Sequence, residues 1–209
     1  MSDAQNKALM ISIREKWGVE IMTACESSSV PPSFLAALIA NESGGDPNAK
    51  RFERNVLISL WNLLQGRSPA YGSIRRDDVF DYIAAPDSKL TEISSAGFRV
   101  LISNALQQLD SLATSWGLTQ VMGYEALPFA SREFWKDPEG SLRISLRMLG
   151  DFAEHFGLDL KNDSAQLFDC WNTGRPHRPT ADPKYIPNGL MRMAIYQELL
   201  DGPPKSVSA

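Results

Sequence analysis

A mostly helical fold in one domain is what this sequence predicts, and three observations carry that expectation. Apolar residues recur at steps of three and four over most of the chain, as helices that bury one face require. Runs that alternate apolar with polar residues, the mark of half-buried strands, are nearly absent. The 209 residues hold no internal repeat and no low-complexity segment, and at ~100–200 residues per domain a single domain is expected.

The elements follow in order. Leu9, Met10, Ile13, Trp17 and Ile21 share one face of a first helix from about Asp3 to Cys25, with Ser2 or Asp3 as its cap. Ser27 to Pro32 breaks it, and Pro32 or Ser33 opens a second helix that Gly44-Gly45-Asp46-Pro47 stops. Val56, Leu57, Leu60, Trp61 and Leu64 mark a third, ended near Gly66. Arg67 to Ser73 reads as a loop, and a short helix from Asp77 or Asp78 ends at Pro86. Ile93 to Leu112 is helical in its second half, and another short helix follows Gly117. Leu142, Leu146, Leu149, Phe152 and Phe156 define a long helix from about Pro138. Ala165 to Trp171 and Asn188 to Leu200 complete the set, with Met191, Met193 and Ile195 read as core. The domain therefore spans 1–201, and 202–209 is expected to be a flexible tail.

Composition removes several function classes. The chain is 43% hydrophobic and 22% charged, with a net charge of -4 and a pI of about 5.3. Phosphate binding needs a concentrated basic surface, so no nucleic-acid partner is expected. Cys25 and Cys170 cannot build a disulfide framework, and His155 and His177 lie far apart without ligand partners. Neither metal nor cofactor is expected. The longest apolar run, Phe34 to Ala40, falls far short of the ~20 residues of a membrane-spanning helix. Met1 to Asn6 is polar, without a signal-peptide layout. The expectation is a protein made in the cytoplasm that acts elsewhere only after release or delivery.

Glu42 is the most informative residue. At ~100° per residue, Ile39, Leu38 and Leu35 share its helical face, so a carboxyl stands where a leucine would be ordinary. Two readings compete. In one, the side chain reaches solvent or pairs with Arg51 or Arg54. In the other, it is held partly dry, which favours its protonated form and equips it as a general acid, as glycoside cleavage requires. The glycine break straight after it leaves this side chain at the lip of a cleft.

The block from Val30 to Ala49, with Leu38-Ile39-Ala40-Asn41-Glu42-Ser43-Gly44-Gly45-Asp46-Pro47 at its centre, resembles the catalytic block of soluble lytic transglycosylases and goose-type lysozymes. Ser115-Trp116-Gly117-Leu118-Thr119-Gln120-Val121-Met122-Gly123 is similar to that family's Gly-Leu-Met-Gln block, and closer still to the Ser-Trp-Gly block of phage-type N-acetylmuramidases. Trp171-Asn172-Thr173-Gly174 resembles the Ala-Tyr-Asn-x-Gly block, Tyr185 the late tyrosine, and Arg51-Phe52-Glu53 the Phe-Glu element of the muramidase branch. The blocks keep the family's order. Thr119 stands where Met is usual and Trp171 where Tyr is usual, while 67–112 has no counterpart and reads as an insertion.

The resemblance implies a mainly α, lysozyme-like fold with little or no sheet, and a catalytic cleft between a helical core and a smaller lobe. It implies cleavage of the β-1,4 bond between N-acetylmuramic acid and N-acetylglucosamine, with peptidoglycan glycan strands as partner and Glu42 as general acid and base. Transglycosylation and hydrolysis both remain open. Ser43, Ser115, Gln120, Asn172 and Tyr185 are the candidate substrate-binding residues. Each also has a structural reading: caps and turns for the polar four, ordinary half-burial for Tyr185. A two-carboxylate hydrolase would need a second acid, for which Glu53 and then Asp46 are the candidates, against an ion pair within Arg51 to Arg54. The rivals are a non-enzymatic glycan-binding module of a virion or secretion apparatus and a glycosidase acting on chitin or chitosan.

Overall fold

Eight consecutive residues, Ser33 to Ala40, are buried in the helix that ends at Glu42. In the computed structural model, which describes residues 1–84, 106–129 and 134–202, this helix, α2 (Pro32–Glu42), is packed by α1 (Asp3–Cys25) and α9 (Tyr185–Asp201). A helix apolar around its whole circumference belongs in a core. Phe34, Leu35, Leu38 and Ile39 point to several sides, and Ala36, Ala37 and Ala40 let neighbouring helices approach. The spacing of apolar residues predicts Glu42 on one greasy stripe. The structure places it at the end of a helix covered on every side.

The chain divides into two units. The first comprises 1–48, 117–119 and the described residues from 135 onward. Besides α1, α2 and α9 it holds α7 (Pro138–Phe156) and α8 (Ser164–Thr173). α7 packs on α1 and α8, and α8 packs on α9. Phe34 of α2 stacks on Phe168 of α8 with ring centroids 4.4 Å apart, and such a pair adds roughly 0.5–1.5 kcal/mol beyond its burial.

The helix ends follow local chemistry. Ser2 and Gln5 form a capping box on α1. Pro32 and Pro138 occupy first turns, where a missing N–H costs nothing. α7 and α8 stop at Gly157 and Gly174, both left-handed. α9 starts at Tyr185, three residues earlier than the sequence suggested, because Pro187 lies in its first turn and is tolerated there.

The second unit comprises the described residues of 49–116 and 120–134. It contains β1 (Lys50–Phe52), α3 (Arg54–Leu64), β2 (Ala70–Tyr71), β3 (Ile74–Arg75), α4 (Arg76–Ala84), a helical stretch α5 (106–112), β4 (Thr114–Trp116), β5 (Val121–Met122) and α6 (Gly123–Ala126). β1, β4 and β5 form an antiparallel sheet in that order, with Arg51 opposite Ser115 and Ser115 opposite Met122. β2 and β3 form a separate hairpin. Leu60, Leu63, Ile74, Val79, Leu109 and Leu112 build this unit's own core.

The fold is mainly helical with small sheets. The expected little or no sheet agrees with this: the described residues hold five strands of two or three residues, each too short to alternate detectably. Part of the expected Ile93–Leu112 helix, the middle of the 67–112 insertion and the tail beyond Gly202 lie outside the described residues. The described ends of that insertion supply β2, β3, α4 and α5.

Candidate active site

Glu42 is the last residue of α2 and is half-buried. The hydroxyl of Tyr185, at the start of α9, donates a hydrogen bond to its Oε1. Tyr185 is 9% exposed, and burial first, then the negative charge of Glu42, push its phenol well above the ordinary tyrosine range. A phenol that keeps its proton can only donate to the carboxylate, so it fixes that oxygen's position. The Tyr185 ring is in turn held edge-on by Phe168, centroid to centroid 6.1 Å.

Ser43 follows Glu42 and serves as the helix cap. Its Oγ donates to the Leu118 carbonyl at 2.7 Å and accepts from the Gly45 N–H at 3.1 Å. The glycine break is pinned as well: Trp17 Nε1 donates to the Gly45 carbonyl at 3.0 Å. Gly45 has φ of +88°, and a Cβ there would stand 3.3 Å from Ile13 Cγ1. Glycine is therefore required both by backbone conformation and by close approach.

Ser115 and Gln120 belong to the second unit and meet each other. Ser115 Oγ donates to Gln120 Oε1 at 2.9 Å, and Gln120 Nε2 donates to the Ala49 carbonyl at 2.9 Å. Gln120 takes φ of +56°, unusual for a side chain larger than glycine's. These amide bonds pin the edge of the β1–β4–β5 sheet. Asn172 is exposed near the C-terminal end of α8. The indoles of Trp171 and Trp116 both donate to backbone: Trp171 Nε1 to the Thr119 carbonyl at 3.1 Å, Trp116 Nε1 to the Ser111 carbonyl at 3.0 Å.

Of the second-acid candidates, Glu53 pairs with Arg51 at 2.7 Å in an exposed stretch, and Asp46 accepts the Asn48 N–H at 2.9 Å within its own turn. Among the described residues no group of three or more His, Cys, Asp or Glu could hold a metal ion, and no helix is long and apolar enough to cross a membrane.

Sequence reasoning missed Asn41, Asn6 and Arg192. The buried residues of α9 are Tyr185, Gly189, Arg192 and Tyr196. Their spacing of four, three and four is a helical stripe, but a polar one, and hydrophobicity alone looks past it. Met191, Met193 and Ile195, expected as core, are only half-buried beside it.

Alkaline titration checks the burial of these groups. Burial raises Tyr124, Tyr185, Tyr71 and Tyr196, and it pushes the Cys25 and Cys170 thiols up to about 11. Each group keeps its proton in the folded chain at a pH where the unfolded chain, with thiols near ~8.5 and phenols near ~10, has lost it. Stability is therefore full below those unfolded values and falls as pH rises through them. The urea midpoint should hold to about pH 8.5 and decline up to about pH 11, with late tyrosinate absorbance at 295 nm appearing only on unfolding. A midpoint that rises over that range would contradict the burial.

No protein-family model, curated protein or solved structure matches the chain.

Proposed function

We propose that this protein is a peptidoglycan glycosidase of lysozyme-like fold that cleaves the β-1,4 bond between N-acetylmuramic acid and N-acetylglucosamine, with Glu42 as general acid and base. The observation that carries the reading is the Glu42–Tyr185 pair: a half-buried carboxyl ends a fully buried helix and receives a hydrogen bond from a buried phenol. The Glu-Ser-Gly-Gly break and the order of the family-like blocks support it.

In this mechanism Glu42 gives its proton to the bridging oxygen as the C1–O bond breaks. Positive charge develops on C1 and the ring oxygen of the muramic acid. The resulting carboxylate, held at Oε1 by Tyr185, then takes a proton from the attacking hydroxyl. Attack by the sugar's own 6-hydroxyl yields a 1,6-anhydro end, and attack by water yields a reducing end. The protein would meet its glycan at the cell wall after release or delivery.

Mass spectrometry of products from purified walls tests the reading. Soluble muropeptides are expected, their end groups naming the second step. Binding to walls without release of fragments would instead favour a glycan-binding module, and release from chitin but not from walls would reassign the substrate. Tyr185→Phe removes the donor while keeping the ring. It should lower kcat by roughly ten- to a hundredfold with KM held, because a lost hydrogen bond to a charged group costs ~1.5–3 kcal/mol. An unchanged kcat would show that the phenol does not serve the acid.

A further inference from the structure

Arg192 is 6% exposed, and its hydrogen-bond acceptors among the described residues are neutral. Nε donates to Asn6 Oδ1 at 3.0 Å, Nη1 to Asn41 Oδ1 at 2.6 Å and Nη2 to Met1 Sδ at 3.3 Å. Burying a guanidinium against neutral acceptors is costly, so stability alone is a poor reason to keep one in a helical core. Its chemistry supplies a better reason. Arginine is a donor only, so it dictates which end of an amide faces it. With Oδ1 of Asn41 turned to Arg192, Nδ2 is left to donate to the Tyr185 carbonyl, which it does at 3.0 Å. Asn6 is sorted the same way, its Nδ2 donating to the Ser2 carbonyl at 3.2 Å. Tyr185 and Arg192 are seven residues apart on α9 and share a face. Asn41 thus ties the last turn of α2 to the first turn of α9, one residue before Glu42.

We propose that Arg192 is a positioning residue for Glu42: by holding the Asn41 amide in one orientation, it locks the Tyr185 main chain onto α2 and so keeps the phenol on the carboxyl. The role rests on Glu42 being the acid of the proposed reaction. The geometry of the lock does not, and the two are tested separately.

Arg192→Met removes the donor but strands the amide oxygens of buried Asn6 and half-buried Asn41, so it carries a folding risk. Asn41→Asp avoids that risk. It keeps the shape and gives Arg192 a charged acceptor, but it sets an oxygen against the Tyr185 carbonyl where Nδ2 had donated. A purely structural role predicts that folded Asn41→Asp works as well as the parent. The positioning role predicts a kcat on purified walls about tenfold lower or more with KM held, because small misplacements of a reacting group are expensive. It also predicts a displaced 13Cζ resonance of Tyr185 in tyrosine-labelled protein, assigned through Tyr185→Phe, and the same displacement in Arg192→Met wherever that variant folds. Parent kcat together with a parent Tyr185 resonance in Asn41→Asp overturns the proposal. If the parent protein cuts no wall, the functional reading falls while the resonance still decides the lock.

Discussion

Glu42→Gln is expected to abolish release of soluble fragments from purified cell walls while the melting temperature holds or rises. The amide keeps the size of the carboxyl and keeps an oxygen for the Tyr185 hydroxyl, so the α2–α9 contact survives. It removes a half-buried ionisable group, and polar groups retained for chemistry are commonly a cost to stability. What it cannot do is give up a proton near neutral pH. General acid–base catalysis contributes typically ~100- to 10,000-fold, so a loss of at least about a hundredfold is the expected reading in a turbidity or fragment-release assay. Glu53→Gln is the matched control. Glu53 sits in an exposed ion pair with Arg51, its side chain 36% exposed and its partner's 75%. Such pairs contribute only ~0–1 kcal/mol, so its loss should leave both rate and melting temperature close to the parent values. A Glu42→Gln protein that clears walls at the parent rate would end the glycosidase reading. A large loss in Glu53→Gln would instead call for a second carboxylate in the mechanism.

Much of the first unit was legible because its signals are local. The Ser2 cap, the proline starts of α2 and α7, and the Gly44-Gly45 break after α2 each depend on a few neighbouring residues. Glu42 was legible for a related reason, since a carboxyl three, four and seven residues from apolar positions violates the pattern of its own helix. Tyr185 could be named only through its likeness to a late family tyrosine, and nothing local pairs it with a residue 143 positions away. The short strands carried no signal, because two or three residues cannot alternate enough to be distinguished from loop. The Arg192–Asn41 clamp was hidden more deeply. Its parts lie on three helices, and hydropathy scores Arg192 as surface. The error on α9 has the same origin: the residues that fill its buried stripe are polar or small, and the methionines beside them are the apolar ones. Ser115 and Gln120 show the converse. Their types suit a sugar, but the β-turn geometry uses their hydrogen bonds to join β1 to β4 and β5.

Gly189→Ala should lower the melting temperature by roughly 4–8 °C, and the sign is not the one helix propensity gives. An alanine in the interior of α9 would gain ~0.8–1.0 kcal/mol over glycine in propensity. Against this, a Cβ at Gly189 would stand 2.7 Å from both Cε2 and Cζ of Phe168 and 3.0 Å from Cε1. Those distances are well inside carbon contact. The ring has little room to yield, since Phe168 is fully buried and stacks on Phe34 at 4.4 Å. Overpacking a closed core costs ~1–3 kcal/mol and occasionally more. Three contacts against a wedged ring put this site at or above the top of that range, leaving a net loss of about 2 kcal/mol. At ~2–4 °C per kcal/mol for a chain of this size, the shift follows. Phe168 also carries the Tyr185 ring, so a displaced Phe168 should disturb the phenol on Glu42, and activity per folded molecule should fall with stability. The double variant Gly189→Ala with Phe168→Leu separates clash from backbone effect. If the clash dominates, the pair loses less than the sum of its single losses, a coupling that thermal melts of the four proteins read directly. A Gly189→Ala protein that melts at or above the parent temperature would mean that α8 and α9 are less closely seated than the ring contacts require.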